Sequence, residues 1–258
     1  MSDVLLTYGW VRSSYSALRN LKKHGLHVVV SDSSNIGMSQ FSRYSSGFKK
    51  YTSHYEDENK FISDLLDICS SQKIKLILPS HNETEIIARH RNKFSDSLVA
   101  MIPDETHCRM FNNKSAAYDY VSEIGIPVPK RINYADPNLV SQLLKSKGVE
   151  KTVIKLLTGN SGKGVFYGKN PEHAQSVVEE LIQKYKLIPR RYPQIEEYVE
   201  GEGYGCSVLY SSGKFITHFT HRRLRDKIET GGTSTFREAT VHEGIEAATK
   251  TIFDSLGW

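Results

Sequence analysis

Cysteine is scarce. The chain has three, Cys69, Cys108 and Cys206, in 258 residues, and their wide spacing leaves neither a disulfide framework nor a set of metal ligands. Reduced core thiols are the expectation. No apolar run approaches the roughly 20 residues that span a bilayer, and the N-terminus enters a strand pattern without a basic leader region. A cytoplasmic protein with no membrane partner is expected. There is no long Lys/Arg tract either. The formal charge of +5 is spread along the chain, which argues against nucleic acid and suits small anionic substrates. Internal repeats and low-complexity segments are also absent. What is present, 38% hydrophobic and 24% charged residues, is the composition of a folded protein long enough for two domains.

The first hundred residues alternate strands and helices. Val4–Tyr8 reads as a buried strand, Ser13 or Ser14 as the cap of a helix carrying Tyr15, Leu18 and Leu21, and Leu26–Val30 as a second strand ending before Asp32. Strand, helix and strand at this length predict a βαβ unit with a parallel sheet. The loop GWVRSS keeps only Gly9, so the dinucleotide fingerprint is missing and Asp32 has no triplet to accompany it. A second unit repeats the order: a helix with Phe61, Ile62, Leu65, Leu66 and Cys69, a strand over Ile74–Leu78, the loop Ser80–Thr84 and a helix with Ile86, Ile87 and His90. Ser80, His81, Asn82 and Glu83 fall at a strand's carboxyl end, where open parallel sheets gather ligands, and a plain helix-capping loop suits them equally. Leu98–Ile102 reads as a fourth strand and Pro103 closes this part.

After it, a short helix capped by Asp104 or Thr106 leads to Asn113 and a second helix with Lys114 in its first turn. A cation there opposes the helix dipole, a local conflict that suits a ligand contact as well as a solvated lysine. Arg131–Tyr134 is strand-like, and Asp136-Pro137 and Asn170-Pro171 each open a helix. Between those helices lies Thr152–Gly168, TVIKLLTGNSGKGVFYG, on which the chain's chemistry centres. A strand ends at Lys155, a glycine loop follows, and a second strand leaves it. Glycines let backbone N–H groups approach a ligand and line an anion-binding concavity, and a lysine beside them suits phosphate. No Gly-Lys-Ser/Thr precedes a helix, so this is not a Walker A loop. A ligand-free surface hairpin accounts for the same residues. QIEEYV at 194–199 is a strand broken by Gly201, Gly203 and Gly205, and Cys206–Tyr210 and Phe215–Phe219 form an antiparallel hairpin. A basic loop, His221–Lys227, comes next, and a final helix carries Ile245, Ala248, Ile252 and Phe253.

Lys114 at a helix start, Lys155 before GNSGKG, and Glu196-Glu197-Tyr198-Val199 before Gly201 resemble the ATP-grasp superfamily, in the order that family keeps. The likeness covers essentially the whole chain and is nearest to the carbamoyl-phosphate-synthase-like and D-alanine–D-alanine-ligase-like branch. The run HRRLRDKIETGGTSTFRE also resembles ATP-grasp proteins linked to cell-surface polysaccharide or peptide biosynthesis. The resemblance implies an α/β and α+β protein. Residues 1–103 would be a Rossmann-like pre-ATP-grasp domain with a parallel sheet. Residues 104–258 would be an ATP-grasp domain, made of linking helices (104–128), a small α+β lid lobe (129–199) and an incomplete antiparallel-sheet C-terminal lobe (200–258).

Carried over residue by residue, the resemblance gives Lys114 and Lys155 to the ATP phosphates and folds Ser161, Gly162 and Gly164 over them. It gives Glu196, Glu197 and the backbone at Val199 to adenine, and Glu202 to the ribose. Arg223, Arg225 and Lys227, with Arg222, would close on the γ-phosphate or acyl group. The implied cofactors are ATP and Mg2+, and the implied substrates a carboxylate and an amine or thiol joined through an acyl phosphate. The family's acidic Mg2+ ligands would follow the last helix, so none is assigned here; Glu229, Glu238 and Glu243 are the nearest acids. Either the 258 residues are a fragment of a longer chain, or a second polypeptide completes the site; a homodimer through the apolar face of the last helix is a separate expectation. The alternative is a module that binds ATP without turning it over.

Overall fold

The computed structural model describes residues 3–159, 162, 164–228 and 231–258, with backbone alone at 228 and 231–233. The chain divides into two compact units, Met1–Arg109 and Met110–Trp258.

In the first unit the apolar runs become strands. β1 (Val4–Leu6), α1 (Arg12–Lys23), β2 (Val28–Asp32), β3 (Gly47–Lys50), α2 (Glu58–Gln72), β4 (Leu76–Leu78) and α3 (Glu83–Arg89) follow one another. The sheet has the order β3-β2-β1-β4 and every pairing is parallel, with Val4 opposite both Val28 and Leu76. Leu5 packs with Val29, Phe61, Leu65 and Ile77 on one side, while Val4 and Leu6 pack with Leu18, Val28 and Val30 on the other. A strand buried on both faces has to be apolar without alternation, as β1 and β2 are.

Two expectations for this unit are corrected, and one strand was not foreseen. Residues 98–102 form turns, not a strand; Val99 and Ile102 are buried, yet only the Leu98 carbonyl reaches the sheet, accepting from Ile77 N–H at 2.8 Å. A short apolar run marks burial without fixing backbone shape. β3, GFKK, is a polar edge strand whose lysines hide it from an apolar search and discourage further pairing. Neither serine caps α1, since its N-cap is Val11, and Ser14 Oγ instead donates to the Tyr8 carbonyl at 2.8 Å.

α4 (Glu105–Asn112) runs across the division. The second unit then holds α5 (Lys114–Glu123), β5 (Arg131–Ile132), α6 (Val140–Ser146), β6 (Thr152–Lys155), β7 (Val165–Gly168), α7 (Pro171–Tyr185) and β8 (Gln194–Glu197). β9 (Tyr204–Ser211), β10 (Lys214–Ile228), β11 (Gly231–Ala239) and α8 (Glu243–Leu256) complete it. One antiparallel sheet has the order β5-β8-β6-β7, the other β11-β10-β9. Ile132, Ile154 and Ile195 turn one face of the first sheet towards Val140, Leu144, Ala174, Val178 and Leu181 of α6 and α7. The proline starts are as expected: Asn170 Oδ1 accepts from His173 N–H at 2.8 Å, one residue ahead of Pro171 at the start of α7. The segment His221–Lys227, expected as a loop, is the interior of β10. The apolar stripe of α8 is half-buried, with Phe253 5.1 Å from the Trp258 ring, 5.7 Å from Phe111 and 5.9 Å from Tyr210.

Candidate functional site

Residues at alternate positions on β8, β6 and β7 point away from the α6–α7 core, so one face of that sheet is polar by construction. Gln194 and Glu196 on β8, Lys155 on β6 and Arg131 on β5 share it. Glu196 is 3% exposed, and a carboxylate that deep needs partners. It has two: Lys155 Nζ at 2.5 Å from Oε2, and the Gln194 amide donating to Oε1 at 2.5 Å. Arg131 is held by Ser115 Oγ at 3.2 Å, by an ion pair with Asp119, and by stacking 4.3 Å from the centre of Tyr118. It ties β5 to α5 and borders a cavity of about 440 Å3 with Ser115, Leu157, Tyr192 and Gln194.

Lys114 meets this face from α5. Asn113 caps that helix, accepting from Ser115 and Ala116 N–H at 3.0 and 3.2 Å. The first helical residue, Lys114, then donates its backbone N–H to the Leu157 carbonyl at 2.8 Å and its Nζ to the Gly159 carbonyl at 2.9 Å. The helix start is thereby fastened to the root of the glycine loop. Burial, and then the charge of Lys155, lower the Lys114 pKa below the usual lysine value. Two ammonium groups set near the root of a glycine loop are chemically suited to a multiply charged anion.

Of the loop itself, Gly162 and Gly164 have φ of 76° and 86°, and a Cβ on Gly164 would come within 3.1 Å of the Leu156 side chain. Both positions therefore require glycine. Leu156 N–H to Gly164 O, at 2.8 Å, closes the base of the loop. Ser161 and Glu229 lie outside the described residues.

The remaining candidates are more dispersed. Glu197 exchanges two hydrogen bonds with the backbone of Lys130, at 2.9 and 3.0 Å, and Tyr198 N–H donates to Lys151 O at 3.0 Å. The chain then leaves the sheet with Val199 60% exposed. Tyr167 and Tyr198 meet edge to face at 6.2 Å. Glu202 accepts from Tyr204 OH at 3.0 Å and pairs with Arg222 at 3.3 Å, and Arg222 also reaches Glu238 at 3.4 Å. Neighbours on a strand face opposite ways, so the expected arginine cluster is split: Arg222 on one face, Arg223 on the other. Register shifts beyond Arg223 re-aim Arg225, whose Nε donates to Thr235 Oγ1 at 3.3 Å, and Lys227 is exposed. Arg131, His221 and Arg237 were given no role by the sequence reading. A strand period through HRRLR, set against glycines at 203 and 205, was the available signal for His221.

No family model matches the chain. Among curated proteins it is 27% identical over 145 residues to a probable alpha-L-glutamate ligase of Marinomonas sp., covering 53% of this chain and 46% of that protein. It is 25% identical over 130 residues to the phosphoribosylamine–glycine ligase of Archaeoglobus fulgidus, covering 50% of this chain and 27% of that one. The chain thus spans less than half the length of these two relatives. Among solved structures it resembles the biotin carboxylase domain of Hydrogenobacter thermophilus 2-oxoglutarate carboxylase, in complex with MgADP, ADP and bicarbonate. There the TM-score is 0.73 at 15% identity, over 100% of this chain and 59% of that one. It also resembles Staphylococcus aureus N5-carboxyaminoimidazole synthetase complexed with ADP, with a TM-score of 0.65 at 14% identity over 98% and 63%. At such identities the likeness is one of fold.

Proposed function

The chain has the fold of the ATP-grasp superfamily, and from that premise we propose that its second unit binds ATP and that it serves an ATP-dependent ligase joining a carboxylate to an amine or thiol. The observation that carries this reading is the placing of Lys114 and Lys155 together at the root of the glycine loop. In the proposal both ammonium groups contact the phosphates, and Ser161, Gly162 and Gly164 cover them. Glu196, Glu197 and the Val199 backbone take the base, Glu202 the ribose, and Arg223, Arg225 and Lys227 the transferred phosphoryl group. The first unit is taken as the pre-ATP-grasp domain, with the division proposed near residue 103.

The substrate carboxylate oxygen would attack the γ-phosphorus and release ADP. The amine would then attack the acyl carbon, expel phosphate and give up its proton. Such chemistry asks the protein for positioning and charge neutralisation rather than for a covalent nucleophile. Mg2+ would be expected with the nucleotide. Among the described residues no group of three or more His, Cys, Asp or Glu side chains is placed to hold a metal ion, so these residues do not make such a site by themselves and no step is routed through the ion.

Titration calorimetry with ATP in Mg2+, together with an ADP-release assay over candidate carboxylates and amines, tests the reading. Binding with turnover supports a ligase. Binding without turnover under every pairing supports a nucleotide-binding module. Absence of ATP binding removes both.

A further inference from the structure

The sheet of the first unit has one place where its strand order reverses. From β1 the chain moves outwards through β2 to β3, then returns to lay β4 on the other side of β1. Loops part at such a point, and open parallel sheets bind ligands in the crevice there, at the carboxyl ends of the strands. Tyr8 follows β1 and His81 follows β4, one on each side of the reversal. Their rings stack, with centroids 5.1 Å apart and planes 22° from parallel. Both residues have left-handed backbone, with φ of 52° and 63°. A residue with a Cβ holds that conformation only where its surroundings impose it, and such positions cluster at ligand sites.

Carboxyl groups back this stack. Tyr51, which follows β3, accepts from Tyr8 N–H at 3.1 Å and donates its hydroxyl to Glu83 Oε1. Tyr51 is 2% exposed and Glu83 3%. Asp32, at the end of β2, is also buried and accepts from Trp10 and Ser34 N–H at 2.8 and 2.9 Å. Tyr55 is 74% exposed, and its hydroxyl accepts from the Asn82 amide at 2.8 Å. Burial, then the charges of Asp32, Tyr55 and Glu83, raise the Tyr8 pKa, with no lysine or arginine among them. Tyrosine rings open to solvent and within reach of two carboxyl groups attract a cation, through the ring quadrupole and by Coulomb's law.

We propose that the rings of Tyr8, Tyr55 and His81, backed by Asp32 and Glu83, form a binding site for an alkylammonium group, where the amine co-substrate is taken. Calling the ligand a co-substrate rests on the ligase reading, and within that reading it favours an amine over a thiol. The ammonium site itself does not rest on it.

The test is carried out on the full chain with labelled tyrosine and histidine rings. The Tyr55 and His81 resonances are followed, each assigned by its loss in Tyr55→Leu and His81→Gln. At about pH 8, above the Glu83 pKa of about 7, n-butylammonium chloride is titrated, with n-butanol and sodium butyrate as controls at matched ionic strength. A saturable shift with butylammonium alone, and about tenfold weaker binding in Tyr55→Leu and in Glu83→Gln, support the site. Tyr55 is exposed, so its variant keeps the fold even where Glu83→Gln loosens the unit. An equal response to butanol or butyrate, a shift that does not saturate, or unchanged affinity in Tyr55→Leu overturns it. ATP affinity is measured on the same samples. If ATP fails to bind while butylammonium still does, the ligase reading falls and the site stands. ATP binding with silent Tyr55 and His81 rings gives the reverse.

Discussion

Replacing Lys155 by methionine separates two jobs, since this side chain is both the counter-ion of a buried carboxylate and a proposed phosphate ligand. Breaking one side of a fully buried pair costs about 3–5 kcal/mol. Here the Glu196 side chain is 4% exposed and that of Lys155 27%, so water partly reaches the pair and a loss of about 2–3 kcal/mol is expected. Adding Glu196→Gln removes the stranded charge and leaves an amide that pairs with Gln194, so Lys155→Met/Glu196→Gln should regain most of that stability. Nucleotide affinity should not return with it. A charge-assisted phosphate contact is worth about 1.5–3 kcal/mol, which is about 10- to 150-fold in Kd. Urea unfolding and ATP calorimetry on the wild type, Lys155→Met, Glu196→Gln and the double variant read the two effects separately. A double variant that is stable and binds ATP like the wild type would show Lys155 to be a structural counter-ion and nothing more.

Burial raises the Glu83 pKa to about 7 from 4.5, against hydrogen bonds from Thr7 and Tyr51 that lower it, with Asp32 adding to the rise. A carboxyl raised on folding gives stability that is complete below the unfolded pKa and is lost as pH climbs to the folded one. The first unit should therefore weaken by on the order of 3 kcal/mol between about pH 4.5 and 7, and Glu83→Gln should flatten that slope in urea unfolding followed through Trp10 with Trp258→Phe. Gly162→Pro, at an exposed position whose φ of 76° proline cannot adopt, should cut nucleotide affinity or turnover while moving Tm by only a few degrees; a collapsed Tm with intact affinity per folded molecule would make the loop structural. Phe253→Ala removes half-buried contacts with Phe111, Trp258 and Tyr210 and should cost about 1–2 kcal/mol, below the about 3–5 kcal/mol of a fully buried ring. Sedimentation of both forms shows whether that stripe also joins two copies.

The parts legible in the sequence were those whose pattern is local. A βαβ unit announces itself because a strand buried on both faces is apolar throughout and its helix keeps a 3.6-residue period, as Val28–Val30 and Phe61–Cys69 do. Lys114 was legible for a related reason: a lysine at the first helical position is unusual enough to ask what holds it, and the answer is two carbonyls at the root of the loop. The ion pair between Lys155 and Glu196 was not legible. Its two residues lie on different strands, and only the register of β6 against β8 brings them together.

The β10 strand shows the limit most sharply. HRRLRDK has three arginines in its first five residues and no apolar alternation, so by composition it reads as a solvated loop. It becomes a strand because β9 and β11 supply its backbone partners, and charge on a two-sided sheet costs little while the cations remain near solvent. Alternation then sorts the same residues into two chemistries, with Arg222 paired to Glu202 and Glu238 on one face and His221 and Arg223 turned to the other. The glycines at 203 and 205 carry the period-two signal on the facing strand. Each stands where a side chain would collide with the residue across from it. A basic stretch opposite glycines at alternate positions is thus better read as a strand whose side chains need floor space than as a loop.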